Sequence, residues 1–246
     1  MWMSASFLPT SLFSLRPALA TASGAQSLLV PTPFAIKMAL VSNVIQLFGI
    51  DLGSHVWPAI RDAEIALKLP ELVVVAKTFI KIQRPKRFKQ NNQEEFIQAL
   101  NDGLYPFNPT IAFREFVQFE GEVGIAIKIH DSQYNKIIES AFKHISYFGK
   151  RGGFWQRQTQ IVLLDTLDYS WINLTINQTS IFIQGTLQLL DDCGKKLSWE
   201  HVNIYSEKSI KIDNDERILR PIVLPYTLTR SSYRYTVYTR IEEPHL

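Results

Sequence analysis

Two helix-like segments, each set between strand-like segments, constrain the fold of this chain more than any other feature. The first runs from Thr32 to Gly49; it opens on an N-cap and a first-turn proline, and its apolar residues recur with helical spacing. The second is predicted to begin near Asp131 or Ser132 and to end at Gly149. Strands are expected before, between and after these helices, which is the split βαβ order of a ferredoxin-like α+β fold.

The expected strands divide the chain into two regions. Those of the ferredoxin-like domain are Ser6–Arg16, Leu72–Gln83 and Val123–His130. After Trp155 the pattern predicts almost only strands, among them Gln160–Leu164, Trp171–Leu174, Ser180–Leu190, Val202–Tyr205 and Tyr233–Ile241. We therefore predict a ferredoxin-like domain over residues 1–165 and a β-rich C-terminal region over residues 166–246.

A long polar segment, residues 84–109, interrupts the first domain. Most connections in compact domains are about 4–6 residues long, so the segment is predicted to protrude. It begins with basic residues, could form a short helix at Gln93–Leu100, and ends with the aromatic side chains of Tyr105 and Phe107. Such a protrusion could hold a nucleic-acid strand by charge and stacking. A surface loop whose aromatic rings fold back on the body is the alternative.

Basic residues are concentrated in three windows, although the net charge is only +3. The windows hold Lys77, Lys81, Arg84, Lys86, Arg87 and Lys89; Lys143, Lys150, Arg151 and Arg157; and Arg217, Arg220, Arg230, Arg234 and Arg240. Runs of this kind, with no acid inside them, suit a phosphate backbone. The alternative is that each run is a solvated strand face.

Several classes of site and location are excluded or disfavoured. Cys193 is the one cysteine, so a disulfide within the chain and a thiolate metal cluster are excluded, and a reducing cytoplasm is expected. The acidic clusters Asp191–Asp192 and Asp213–Glu216 are expected in turns, without a histidine or a further carboxylate at ligand spacing, so no metal or cofactor is predicted. The apolar amino terminus lacks the charge order of a signal peptide, and the apolar run near residues 28–50 is broken by prolines and a lysine.

The segment Tyr147–Arg157 is the strongest candidate for a nucleic-acid site. Its three glycines allow backbone amides to approach a phosphate, and Lys150 and Arg151 supply positive charge. Phe154 and Trp155 offer aromatic faces for stacking with bases. Each feature alone also fits a helix C-cap or a core contact, but together they favour nucleic-acid binding.

Four segments together resemble the CRISPR-associated RAMP proteins of the Cas-five type. They are Ser14–Pro17, Val30–Leu40 with its Pro-Thr-Pro entry into the first helix, Ile111–Phe116 with its Arg-Glu pair, and Tyr147–Gln156 with its Gly-Lys-Arg-Gly core. They occur in the family's order over about two thirds of the chain. The C-terminal strands after Asp165 match nothing in the family's pattern.

The resemblance implies an RNA-binding subunit of a type I Cascade complex, in antiviral defence or RNA-guided transposition. Such a subunit binds the 5′ handle of the CRISPR RNA, caps the filament of Cas-seven-type backbone subunits and contacts the Cas-eight-type large subunit. Its thumb-like insertion reaches toward the guide–target duplex, so target DNA is a further candidate partner. Carried over to this chain, Arg16 and Lys37 flank the handle site, Arg84, Lys86, Arg87 and Lys89 lie at the thumb base, Arg114 faces RNA, and Lys150, Arg151, Phe154 and Trp155 contact the handle.

Two other functions remain open at this point. Some RAMP proteins cut precursor RNA without a metal, and His144, near Tyr147 and Lys150, is the best candidate for a general acid or base here. A half-exposed helix histidine without a catalytic role is the more common arrangement, so a non-catalytic subunit is predicted. An interaction module that binds no RNA is the remaining alternative.

Overall fold

A computed structural model describes residues 1–20, 26–85, 93–103, 107–150, 152–176, 184–212 and 214–241, with side chains except at 84–85 and 107–110. The strands are β1 (Trp2–Pro9), β2 (Glu64–Lys68), β3 (Leu72–Pro85), β4 (Phe107–Glu120), β5 (Val123–Lys128), β6 (Trp155–Arg157), β7 (Val162–Leu164), β8 (Trp171–Asn173), β9 (Thr186–Cys193), β10 (Arg217–Leu224), β11 (Tyr226–Ser231) and β12 (Tyr235–Arg240). The α-helices are α1 (Pro33–Phe48), α2 (Ile50–Arg61), α3 (Gln93–Asn101), α4 (Asn135–Lys143) and α5 (Trp199–Val202).

The first sheet confirms the ferredoxin-like α+β fold. Its strands lie in the order β6-β1-β5-β2-β8, and β7 also pairs with β1. Both β1 and β2 run antiparallel to β5, while α1 and α2 connect them. In the same way, α4 connects β5 to β6. This is the predicted split βαβ arrangement.

The second sheet corrects one strand assignment. Its order is β11-β12-β3-β4, so the predicted strand Leu72–Gln83 lies in this sheet and not in the first. The strand that completes the first sheet is β2, which the prediction missed because the longer apolar run beginning at Leu72 has the stronger pattern. β3 and β4 pair from Leu72 with Glu120 to Pro85 with Phe107, forming a long hairpin that carries α3. We call this hairpin the arm; α3 confirms the predicted short helix.

The helix boundaries agree with the prediction for α1 but not for α4. Thr32 caps α1 by accepting a hydrogen bond from Ala35 N, and Gly49 ends it with a φ of 88°. A further helix, α2, follows immediately and buries Trp57. The second predicted helix was extended too far at its carboxyl end, because α4 ends at Lys143 and the chain then turns. At its start, a single 3-10 turn, Ser132–Tyr134, precedes α4.

Two other strand predictions are corrected. The first strand is β1, not Ser6–Arg16; beyond Pro9 only isolated bridges at Phe13 and Leu15 continue the pairing. The segment Val202–Tyr205 is not a strand, because Val202 is the last residue of the short helix α5 and the chain then continues as a turn. The strands predicted near β7, β8, β9 and β12 are present with shifted ends, and residues 180–183 lie outside the described residues.

The core joins both predicted regions. Buried side chains of α1, β1 and β5 form one hydrophobic cluster with Leu190 of β9 and Ile222 of β10. In addition, β8 extends the first sheet and β12 pairs with β3. The division at residue 165 stays a prediction. Within the described part of the chain, no helix combines the length and apolar character needed to span a membrane.

Candidate nucleic-acid interface

A groove forms where the chain leaves β1, enters α1 and turns after α4. Its volume is about 360 Å³, and it is lined by Ser14, Leu15, Arg16, Leu28, Thr32, Phe34, Ala35, Met38, Gly149, Lys150, Asp191 and Arg217. We call it the basic groove. It brings together the segments beginning at Ser14, Val30 and Tyr147, which lie far apart in the sequence but were predicted to share a site.

Two predicted cations line the basic groove. Arg16 is exposed, and its Nε donates to the carbonyl oxygen of Ala20 at 3.1 Å, which fixes the guanidinium at the rim. Lys150 is also exposed. A phosphate in the groove would therefore meet positive charge on two sides, in a position open to solvent.

The amino terminus of α1 adds to the positive potential. This 16-residue helix begins in the groove wall at Thr32, Phe34 and Ala35. A helix N-terminus carries a partial positive charge that favours anions. At α1 this charge is the main contribution, because Pro33 has no N–H and the N–H groups of Ala35 and Ile36 are bonded to Thr32. The groove therefore combines side-chain and backbone features that suit phosphate oxygens.

The glycine-rich turn holds Lys150 in place through tight backbone contacts. Gly149 has a φ of +71°, and a Cβ at this position would lie 2.6 Å from Cδ2 of Leu15. The backbone N–H groups of Gly152 and Gly153 both donate to the carbonyl oxygen of Lys150, at 3.0 and 3.1 Å. A side chain at residue 149 would push the turn away from the segment after β1 that holds Leu15 and Arg16.

Arg217 is a groove residue that the sequence prediction did not assign to the site. Its Nε and Nη2 lie 2.7 and 2.6 Å from Oδ2 of Asp191, and its guanidinium stacks over the Phe34 ring at 4.3 Å. The negative charge of Asp191 is thereby compensated inside the groove. Arg217 lies in one of the three basic windows, but the sequence of that window does not show that Asp191 of β9 is its partner.

Lys37 is contradicted as an RNA contact. Its side chain is 2% exposed, and its ammonium lies 2.7 Å from Oδ1 of Asp192 and donates to the carbonyl oxygen of Arg61 at 2.8 Å. Asp192 also accepts from Nε of Arg220 at 3.0 Å. Asp191 and Asp192 therefore lie in a strand and not in a turn, where they compensate basic residues that we predicted to be unpaired.

Trp155 is likewise contradicted as a stacking surface. The side chain is 3% exposed and packs against Phe13, Phe148 and Phe119, with ring centroids 5.1, 5.3 and 5.8 Å away. Phe154, by contrast, is 56% exposed. Alternation along the strand explains the difference, because neighbouring side chains point to opposite faces of the sheet. A base could therefore stack on Phe154 but not on Trp155.

The remaining predicted residues lie away from the groove or outside the described residues. Arg114 is half-buried on β4 of the arm, where it donates to the carbonyl oxygen of Phe113 at 3.2 Å. The backbone of Arg84 pairs with Asn108 at the far end of the arm. Lys86, Arg87, Lys89 and Arg151 lie outside the described residues.

The alternative catalytic residue, His144, follows the last residue of α4. Its side chain is exposed, and Nδ1 lies 2.7 Å from the carbonyl oxygen of Ser140. The described residues hold no group of three or more side chains arranged as a metal site.

A comparison with curated proteins confirms the resemblance seen in the sequence. Over 149 residues the chain is 31% identical to the "CRISPR-associated protein Cas5" of Archaeoglobus fulgidus, which covers 60% of this chain and 56% of the relative. The chain thus spans little more than half the length of that relative. No family model matches the sequence.

Solved structures show weaker likenesses. A crystal structure of a CRISPR protein from Archaeoglobus fulgidus matches with a TM-score of 0.38 and 9% identity, over 98% of this chain and 92% of that one. A chain of the type III-B Cmr-β complex bound to cognate target RNA matches with a TM-score of 0.42 and 10% identity, over 65% of this chain and 59% of that one.

Proposed function

We propose that this chain is a non-catalytic, RNA-binding subunit of a CRISPR effector complex of the type I Cascade kind, and that it binds the 5′ handle of the CRISPR RNA. The observation that carries the proposal is the basic groove, which Arg16 and Lys150 line together with the amino terminus of α1. The resemblance to the Cas5 relative supports it.

The groove chemistry suits the backbone of a single RNA strand. Phosphate oxygens would accept hydrogen bonds from the guanidinium of Arg16 and the ammonium of Lys150, while the N-terminus of α1 stabilises the same negative charge. Phe154, on the strand that follows the glycine-rich turn, would stack against an unpaired base.

The arm is the proposed contact to a neighbouring backbone subunit. Phe79 and Phe113 lie opposite each other across the hairpin, with ring centroids 5.4 Å apart, and are 51% and 55% exposed. Exposed aromatic pairs of this kind are typical of surfaces that bury against a partner. A subunit that caps the backbone filament needs such a contact on one side.

The test is to co-express the chain with its genomic neighbours, purify through a tag on this chain, and sequence the RNA that co-purifies. We expect short RNAs with a common repeat-derived 5′ end, together with other subunits of the complex. Recovery of no RNA, or of random cellular RNA, would contradict the proposal.

Variants of the groove sharpen this test. Changing Lys150 to Ala should weaken RNA binding and reduce the slope of log K against log salt by about 0.7, the value for one phosphate on a single strand. Lys136 is an exposed lysine on α4 outside the groove, so Lys136→Ala is the matched control. An unchanged slope for Lys150→Ala would remove the glycine-rich turn from the site.

The non-catalytic assignment is tested separately with precursor RNA. We expect the purified chain to leave precursor RNA uncut, with or without His144. If the wild type cuts the precursor and His144→Ala abolishes cleavage while retaining binding, the chain is a metal-independent endoribonuclease.

A further inference from the structure

The first sheet has an open face that the basic groove does not use. Phe7 of β1 contacts Phe142 of α4, with ring centroids 5.4 Å apart, so this side chain marks the face covered by helices. Ser4 and Ser6 alternate with Phe7 along the strand and therefore point to the opposite face. A trough of about 470 Å³ lies there.

We call this cavity the sheet trough. Its lining includes Ser4, Ser6, Lys68, Glu122, Thr159 and Trp171. Part of the open face is already covered, since Leu164 and Leu167 pack with Trp171 over the buried side chains of Trp2, Ala66 and Ala126. The sheet trough is the part of the open face, next to these packed side chains, that remains accessible to solvent.

Trp171 forms one wall of the sheet trough. Strand pairing places Trp171 beside Lys68, and Lys68 beside Gly124. A Cβ at residue 124 would lie 2.8 Å from Cη2 of Trp171 and 2.9 Å from Cβ of Lys68. The indole therefore reaches the floor of the trough because residue 124 has no side chain.

The opposite wall is formed by the segment between β6 and β7. Thr159 Oγ1 accepts a hydrogen bond from the backbone N–H of Ser6 at 2.9 Å, and Ser4 Oγ donates to the carbonyl oxygen of Val162 at 3.4 Å. These bonds hold the wall against β1. The trough is therefore bounded on both sides by segments attached to the sheet.

We propose that the sheet trough binds one unstacked nucleotide of the RNA strand held in the basic groove, a step that rests on the proposed function. The base would stack on the Trp171 indole, a phosphate would contact the Lys68 ammonium, and ribose hydroxyl groups would donate to the Glu122 carboxylate. The volume lies within the range of about 300–1,000 Å³ that is common for ligand pockets.

The course of the chain connects the two sites. Lys150 lines the groove, Thr159 lines the trough, and β6 lies between them at the edge of the sheet. Trp155 is buried, so its neighbours Phe154 and Gln156 point to the other face, and both are exposed. In this proposal, an RNA strand leaving the groove crosses the sheet edge over Phe154 and reaches the trough.

The test compares oligouridines of about 4 and about 16 nucleotides, the limits of a typical single-strand site, in binding titrations with the full chain. Trp171→Ala should weaken binding of the longer oligonucleotide by about 5- to 150-fold, the range for one lost base–aromatic stack, and leave the shorter one unchanged. Trp171→Phe should retain most of the affinity. Tyr169→Ala is the matched control, because Tyr169 is 85% exposed and does not line the trough.

A second variant and a second readout guard against loss of folding in Trp171→Ala. Lys68→Gln should reduce the salt slope for the longer oligonucleotide by about 0.7. Oligouridine containing 4-thiouridine should crosslink to the peptide that includes Trp171.

The trough proposal is wrong if Lys150→Ala weakens binding while both trough variants bind like the wild type and no such crosslink forms. The proposed role of the basic groove would then still hold. If the wild type binds neither oligonucleotide nor any co-purified RNA, the proposed function fails and this proposal fails with it.

Discussion

Replacing Lys37 with Met separates a structural role of this lysine from an RNA-binding role. Lys37 and Asp192 form an ion pair of 2.7 Å in which both side chains are 2% exposed. Removing one partner of a buried pair costs about 3–5 kcal/mol, because the other charge stays buried without compensation. Asp192 keeps its hydrogen bonds from Arg220 and from the backbone N–H of Cys193, so we expect the lower end, about 3 kcal/mol.

For a chain of this size, each kcal/mol shifts Tm by about 2–4 °C, so Lys37→Met should lower Tm by about 6–12 °C. Calorimetry or a dye-based melt would measure the shift, with Lys136→Met as the exposed control. RNA affinity, measured well below the lowered Tm, should equal that of the wild type. An unchanged Tm together with a tenfold or greater loss of affinity would refute the buried-pair reasoning and restore Lys37 as an RNA contact.

Three further predictions test the site and the C-terminal region. Phe154→Ala should reduce RNA affinity with little change in Tm, whereas Trp155→Ala should lower stability by about 3–5 kcal/mol, as for other buried aromatic truncations; the reverse pattern in paired melts and titrations would contradict the assigned faces. Burial raises the pKa of the Cys193 thiol to about 12, so iodoacetamide should leave the native chain unmodified at neutral pH and alkylate it in denaturant, as followed by mass spectrometry. The hydrogen bond from the Lys211 backbone N–H, with further bonding from Asn214, holds the pKa of Glu216 below its ordinary value of 4.5. Its stabilising contribution is therefore complete above pH 4.5 and is lost as the pH falls through the lowered pKa; thermal melts should show a shallower acid decline for Glu216→Gln.

Local patterns predicted the elements whose signals lie within one stretch of sequence. Thr32 and the proline after it mark the start of α1, and Gly49 marks its end, because caps act over a single turn. The short helix α3 was also predicted correctly, because its signal lies within one stretch of sequence. The locality of these signals also explains the error at the end of α4, since apolar residues after Lys143 pack into the core without remaining helical.

Pairing between distant strands could not be predicted in this way. The sequence around Leu72 has a strong strand pattern, but nothing within it shows that the strand joins β12 and β4 rather than β5. Likewise, the basic run from Arg217 to Arg240 contains no acid, and nothing in it shows that β9 brings Asp191 and Asp192 beside Arg217 and Arg220. Predictions from charge runs fail where a partner strand supplies the counter-charge.

The candidate site was predicted in part for a related reason. Arg16 and Lys150 were expected to share a site because of the family's motifs, and the basic groove holds both. Phe154 is exposed and Trp155 is buried because one particular face of β6 meets the core. The packing of Trp155 against Phe13 and Phe148 determines which face that is, and this packing joins residues that are separated in the sequence. Phe34, whose ring supports Arg217, carries no sequence signal beyond its place in the first helical turn.

The continuous pairing of β3 with β4 fixes the length of the arm in whole residue steps. From Lys77 opposite Glu115 to Pro85 opposite Phe107, the hairpin extends about 27 Å at about 3.4 Å per residue. Because side chains alternate between faces, a change of two residues in each strand alters the reach by about 7 Å and keeps Phe79 and Phe113 on the same side. A change of one residue in each strand would turn everything beyond it to the other face. The distance that this arm can span is therefore adjustable only in steps, and the step is close to the rise of two stacked bases.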